Sequence, residues 1–279
     1  MRIDVMKTYK LFINGNFPRS ESGRVYEISD SKGKFLANPC LGSRKDLRES
    51  VVAARSAHQG WSGATAFNRG QVLYRVAEIM QGRADQFIVE IIAQEGATPA
   101  SAKAQVQNAI DTWVWYAGWC DKIEAISGSS NQVSGPFYNF SIPESLGVVA
   151  IFSDAKPSLL NLVASLAPVI ATGNTAILIA NEKAPLCAIT LAECLATSDV
   201  PAGVVNILTG KFDQFVTWAG SHMDIDGIDA TGVSNKDLIE LKELGSENLK
   251  RIHTFNELQS TKRMTNFMEI KTIWHPIGI

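Results

Sequence analysis

The chain has 279 residues, 46% hydrophobic and 19% charged, an ordinary globular composition that excludes a disordered or collagen-like chain. Lysine plus arginine is 26 and aspartate plus glutamate is 28, a formal charge of −2. No basic excess exists to neutralise phosphates, so nucleic acid is not an expected partner. In chain order, residues 10–14 read as a strand that turns at Gly15-Asn16. Helical spacing follows over 45–57, with Ser43 as N-cap. A second helix spans 68–83, with Val72, Leu73, Val76, Ile79 and Met80 on one face, and a third spans 84–95. The longest, 100–120, carries Trp113, Trp115, Tyr116 and Trp119. Packing explains such a stripe better than a cofactor box.

Residues 127–131 form a turn-rich link, and 131–135 and 137–143 read as two strands around Gly135-Pro136, a hairpin projecting from the main body. From residue 146 strands and helices alternate. Strands are expected at 148–152, 175–179, 204–208, 227–229 and 249–253, with helices at 158–172, 184–197, 213–220 and 235–244. The apolar run 159–180 is interrupted by Asn161, Pro168, Gly173, Asn174 and Thr175, so it reads as core rather than a membrane span. The pattern predicts an α/β fold: a Rossmann-like, doubly wound parallel sheet with N-terminal helices and a small projecting antiparallel sheet. Ligands of such sheets bind at the carboxyl ends of the strands, near helix N-termini.

Residues 1–5 carry no apolar signal region. Cys40, Cys120, Cys187 and Cys194 lack CxxC or metal-ligand spacing, and read as free buried thiols in a reducing cytoplasm. His58, His222, His253 and His275 are scattered without HxxxH spacing, so no metal site is expected.

Several segments resemble the aldehyde dehydrogenase superfamily: Glu144-Ser-Leu-Gly-Val-Val149, Leu166-Ala-Pro-Val-Ile-Ala-Thr-Gly-Asn-Thr175 and Val200-Pro-Ala-Gly-Val-Val-Asn-Ile-Leu-Thr-Gly210. Residues 221–232, Leu249-Lys-Arg251, Phe12-Ile-Asn-Gly15 and Ala53-Ala-Arg-Ser-Ala57 extend the likeness over nearly the whole chain. Family members continue from their last nucleotide-domain strand into a catalytic domain that carries a nucleophilic cysteine. Here residues 267–273 already resemble the family's C-terminal oligomerisation strand. The resemblance therefore implies a nucleotide-binding-type domain over 1–126 and 146–256. It also implies an oligomerisation hairpin and strand over 127–145 and 266–279, and no catalytic domain. The nearest likeness is the truncated second domain of two-domain aldehyde dehydrogenases, and residues 271–278 support it.

Carried over position by position, the family's chemistry is depleted. The oxyanion asparagine aligns with Ala155 and the general-base glutamate with Phe255; Glu257 is displaced by two residues and reads as a surface group. The lysine that holds the adenosine ribose aligns with Ile179, while Glu182 is kept. Gly232 survives in the family's glycine turn, but Asp237 replaces the second glycine, a negative charge near the path of a pyrophosphate. The turn after Gly210 lacks the family's glycines, and Lys211 and Lys236 read as solvated. Ser153, Glu182, Gly210 and Gly232 are the cofactor-binding candidates that remain, so no cofactor, or only weak NAD(P) binding, is expected. The implied role is that of a catalytically inactive relative. It would act as a homodimer, through Leu238, Ile239, Leu241 and Leu244 of helix 235–244, or by association with another aldehyde dehydrogenase chain. One alternative is an NAD(P)-dependent component that completes an aldehyde-oxidising site with a partner. Another is a binding module for a different ligand at the sheet's carboxyl edge.

Overall fold

A computed structural model describes residues 6–30 and 32–278. The signal-free reading of residues 1–5 lies outside the described residues, as does Ile279. Two short strands, β1 (Ile28–Ser29) and β2 (Phe35–Ala37), pair near the N-terminus. Helices α1 (Arg44–Ser62), α2 (Ala66–Gly82), α3 (Ala84–Glu95), α4 (Pro99–Trp119) and α5 (Ile123–Ser127) follow, then β3 (Ser129–Asn131) and β4 (Phe137–Ser145). The alternating part comprises β5 (Val148–Phe152), α6 (Ser158–Ala171), β6 (Thr175–Ala180), α7 (Leu186–Leu195), β7 (Val205–Thr209), α8 (Val216–Ser221), β8 (Gly227–Asp229), α9 (Asn235–Gly245) and β9 (Arg251–His253). It is followed by α10 (Lys262–Thr265) and β10 (Met268–Pro276).

The large sheet is parallel, in the order β7-β6-β5-β8-β9. Strands β5, β6, β7 and β8 are buried along their whole length, which is why they read as apolar runs rather than alternations. Val149, Ile151, Leu178 and Ile207 join a core with α2, α3, α4, α6 and α7. Val148, Ala150, Phe152, Ile177, Ile179 and Leu208 face the opposite way, into a core with α1, α8 and α9. The period of two along each strand thus divides the interior into two layers. The small sheet, in the order β10-β4-β3, is antiparallel, and β10 runs in unbroken register along β4 from Met268↔Ser145 to Pro276↔Phe137.

Local chemistry sets the element ends. Ser43 accepts from the amides of Lys45 and Asp46, while the Asp46 carboxylate reaches back to the Ser43 amide at 2.8 Å, a capping box that starts α1. Trp113 and Tyr116 of α4 are fully buried, so the aromatic stripe is packing. Residues 10–14 form no strand; Phe12 makes a single bridge to Ile207 before Asn14 and Gly15, both at positive φ, turn the chain away. The hairpin's first strand lies at 129–131 rather than 131–135. The Asn131 side chain donates to the side chains of Asn139 (2.6 Å) and Ser141 (2.9 Å), which fixes that register. The helix expected at 213–220 is a 3₁₀ turn over Phe212–Gln214 followed by α8, because Phe212 and Phe215 turn inward.

The dimer face assigned to helix 235–244 needs correction. Leu241 is fully buried and Leu244 packs on α8, where a Cβ at Gly220 would lie 3.0 Å from the Leu244 side chain. The leucines of α9 therefore serve the chain's own core, and Ile239, 59% exposed, is the apolar residue the helix turns outward.

A buried carboxyl group holds the N-terminal segment to the helices. Glu90 on α3 accepts from the Tyr9 hydroxyl (3.1 Å) and the Thr190 hydroxyl (2.7 Å), and Lys7 lies 3.6 Å from the same oxygen. Among the described residues its other oxygen has no partner. Burial pushes the Glu90 pKa up, against the pull of Lys7 and the two hydroxyls, while Glu193 adds like charge. A raised folded-state pKa means the native chain holds this proton more tightly than the unfolded one. The group's contribution is fully present below the unfolded carboxylate range, about pH 4, and is lost as pH rises through the raised native value. Urea midpoints measured across that window are expected to fall more steeply for the wild type than for Glu90→Gln, which cannot ionise.

Candidate functional site

From β5 the chain steps outward through β6 to β7, then crosses back to β8 on the other side of β5. The strand order reverses between β5 and β8, and the crevice outside their carboxyl ends is where a doubly wound sheet takes a ligand. Ser153, Glu182, Gly210 and Gly232 all gather at this edge, and each is already engaged by the chain. The buried Ser153 hydroxyl donates to the Ile179 carbonyl (3.3 Å) and accepts from the Asn181 amide (3.2 Å). The Gly232 amide donates to the Phe152 carbonyl at 2.9 Å. A Cβ at Gly232 would fall 2.4 Å from the Ser153 carbonyl oxygen, so only glycine permits this approach. The Glu182 carboxylate accepts from the Phe212 amide at 3.1 Å. Gly210 has φ +149, and a Cβ there would meet the Phe215 ring at 3.0 Å.

The aromatic filling was not foreseen in the sequence, although the missing glycines after Gly210 were its signal. Phe212 packs edge-on against Phe152, with ring centroids 5.2 Å apart. Phe215 is fully buried and its ring lies 2.8 Å from where a Gly42 Cβ would stand. Ile179 is wholly buried in the core beneath. At the start of α9, Ser234 accepts from the Asp237 amide (3.2 Å) and donates to the Asp237 carboxylate (2.8 Å). A helix N-terminus offers free amides and a positive dipole end to an anion; here the chain supplies the anion itself.

Ala155 and Phe255, which the resemblance sets at the family's oxyanion donor and base, carry no ionisable side chain. Ala155 carries only a methyl group, and its amide donates to the Asp154 carboxylate at 2.6 Å. Phe255 lies 6.1 Å from Phe267, centroid to centroid, with the Arg263 guanidinium 4.6 Å from its own ring centroid. Glu257 is exposed, and its backbone carbonyl accepts from Arg263 at 2.7 Å. The four cysteines are buried and unpaired. Burial pushes the Cys120 thiol up to about 12 and the Cys194 thiol up to about 11, and raises Cys187 well above its ordinary value. A thiolate nucleophile needs the opposite shift. Among the described residues no group of three or more His, Cys, Asp or Glu is placed to hold a metal.

One ion pair closes the neighbouring edge. Asp229, at the end of β8, is 1% exposed and accepts from Arg263 at 3.2 Å. Its other oxygen accepts from the Thr231 amide at 3.0 Å and hydroxyl at 2.5 Å, and Thr231 in turn accepts from the Phe255 amide at 3.1 Å. Burial raises the Asp229 pKa, and Arg263 opposes that rise. The segment leaving β9 is thereby stitched across the sheet's carboxyl end.

The family model described as the aldehyde dehydrogenase family matches residues 17–255. The mitochondrial 10-formyltetrahydrofolate dehydrogenase of Mus musculus is 30% identical over 88% of the chain, which spans 27% of that protein. Human retinal dehydrogenase 2 is 29% identical over 88% of the chain, which spans 48% of that relative. A crystal structure of PnpE in complex with nicotinamide adenine dinucleotide superposes with a TM-score of 0.85 at 25% identity, covering 89% of this chain and 50% of that one. The chain thus spans half or less of each of these relatives. The fold expectation is met, a five-stranded parallel sheet with N-terminal helices and a small antiparallel sheet. Among the described residues no helix is long and apolar enough to cross a membrane.

Removing one partner of a buried ion pair strands the other charge, at a cost of roughly 3–5 kcal/mol. Arg263→Ala is expected to lose about that much stability in urea unfolding. Asp229→Asn combined with Arg263→Met removes both charges and is expected to recover most of the loss.

Proposed function

The chain belongs to the aldehyde dehydrogenase family, and we propose that it is a non-catalytic member that acts by association, with itself or with a longer relative. The observation that carries this reading is the path from β9 to β10. Residues 254–267 connect the last strand of the large sheet to a strand already registered on β4, with only the short α10 between them. Where the resemblance places a catalytic domain, this chain has a tight cover pinned by Arg263. Ala155, Phe255 and four buried thiols, three of them raised by burial away from the thiolate, support the same reading, since aldehyde oxidation needs a thiolate, an oxyanion donor and a base. Weak NAD(P) binding and a cytoplasmic setting, which suits free thiols, belong to this proposal.

The means of association are the surfaces the chain leaves apolar. On the small sheet Trp274 is 58% exposed and Ile270 57%, and β10 offers an unpaired edge. On α9, Ile239 is the outward apolar residue. These patches suit a homodimer through α9 and a further chain along β10.

Incubated with NAD and a panel of aldehydes, the chain is expected to produce no NADH above the buffer rate. Steady production that is lost on substitution within this chain would contradict the proposal. Light scattering at micromolar concentration is expected to give twice the monomer mass, and Ile239→Glu is expected to return it to one. A monomer that also fails to co-elute with a longer family member, with and without Trp274→Glu, removes the associative role.

A further inference from the structure

We infer that the ligand crevice of this sheet is plugged by the chain's own Phe212 and Phe215, and that this plug, rather than the loss of individual charged contacts, is what excludes a dinucleotide. Three features place the plug. Phe152, whose carbonyl ends β5 at the switch point, is wholly buried under the Phe212 ring, 5.2 Å away. Phe215 is wholly buried against the backbones of Gly42 and Gly210, both of which lack the Cβ that would collide with it. The Phe212 amide is tied to Glu182 at 3.1 Å, so the carboxylate kept for a ribose hydroxyl anchors the plug instead.

One cavity lies outside the plug. A cavity of about 310 Å³ is lined by Tyr26, Ser29, Glu182, Lys183 and Lys211, among others, but by none of Ser153, Gly210 or Gly232. It reaches the carboxylate and not the strand ends. Two phenyl rings removed from water hold that position with a large apolar area each, which a polar ligand cannot match by displacing them. The plug is a property of the isolated chain, so its test is separate from any test of association or activity.

Titration calorimetry of the full chain with NAD and with NADP is expected to show no saturable binding below about millimolar ligand. Phe212→Gly together with Phe215→Ala opens the crevice and is expected to bring NAD affinity up by at least about tenfold. Asp237→Asn removes the nearby negative charge but keeps the plug, and is expected to bind as weakly as the wild type. Thermal unfolding of each variant shows which are folded, and Phe215→Leu, a milder opening, is expected to gain in the same direction if the double variant does not fold. Micromolar binding by the wild type would overturn the plug. So would an opened, folded variant that gains nothing, or an Asp237→Asn gain as large as that of opening.

Discussion

Asp229 ends a buried strand with a charge that has no water to meet it, and Arg263 lies 3.2 Å away on the segment that follows the sheet. A buried carboxylate is tolerable only when paired and hydrogen-bonded. Thr231 takes the second oxygen and passes the connection on to the Phe255 amide, so one charge organises the β8 turn, the exit from β9 and α10 together. Arg263 also lies over Phe255 and donates to the carbonyls of Glu257 and Ala164. The short route from β9 to β10 depends on that guanidinium, and the small sheet's C-terminal strand begins directly after it.

The same economy governs the crevice. A doubly wound sheet leaves strand-end carbonyls and helix-start amides pointing at one place, and these groups need partners whether or not a ligand is present. Here each partner is internal: Gly232 for the Phe152 carbonyl, Phe212 for Glu182, and Ser234 with Asp237 for the start of α9. These contacts tie the edge to the chain itself.

Much of this was legible in the residues. Apolar runs bounded by Gly, Pro and Asn marked the buried strands, and Ser43 marked the start of α1 through its capping geometry. The identities of Ala155 and Phe255 carried the expectation of lost chemistry, because a methyl group and a phenyl ring cannot do the work of an amide and a carboxylate. What escaped was tertiary. The apolar face of α9 gives no sign of which surface takes it, and Leu241 and Leu244 turned out to pack within the chain. The hairpin register followed side-chain bonds of Asn131 that span the strands, which periodicity does not report. Phe212 and Phe215 read locally as two more helix residues, and only the closeness of Gly42 and Gly210 makes them a plug.

Gly232 shows how residues can outlast the chemistry with which they are associated. Its missing side chain makes room for the Ser153 carbonyl, 2.4 Å from where a Cβ would stand, and that crowding exists with or without a nucleotide. Selection for folding alone would hold this glycine in place. Position 237 has no such steric demand, and the carboxylate there accepts from the hydroxyl of Ser234, the residue that caps α9. A fold that ceases to bind its ligand would thus shed the motif unevenly, keeping the parts that double as packing. A motif glycine can thus be kept for its geometry alone, whether or not a ligand is bound.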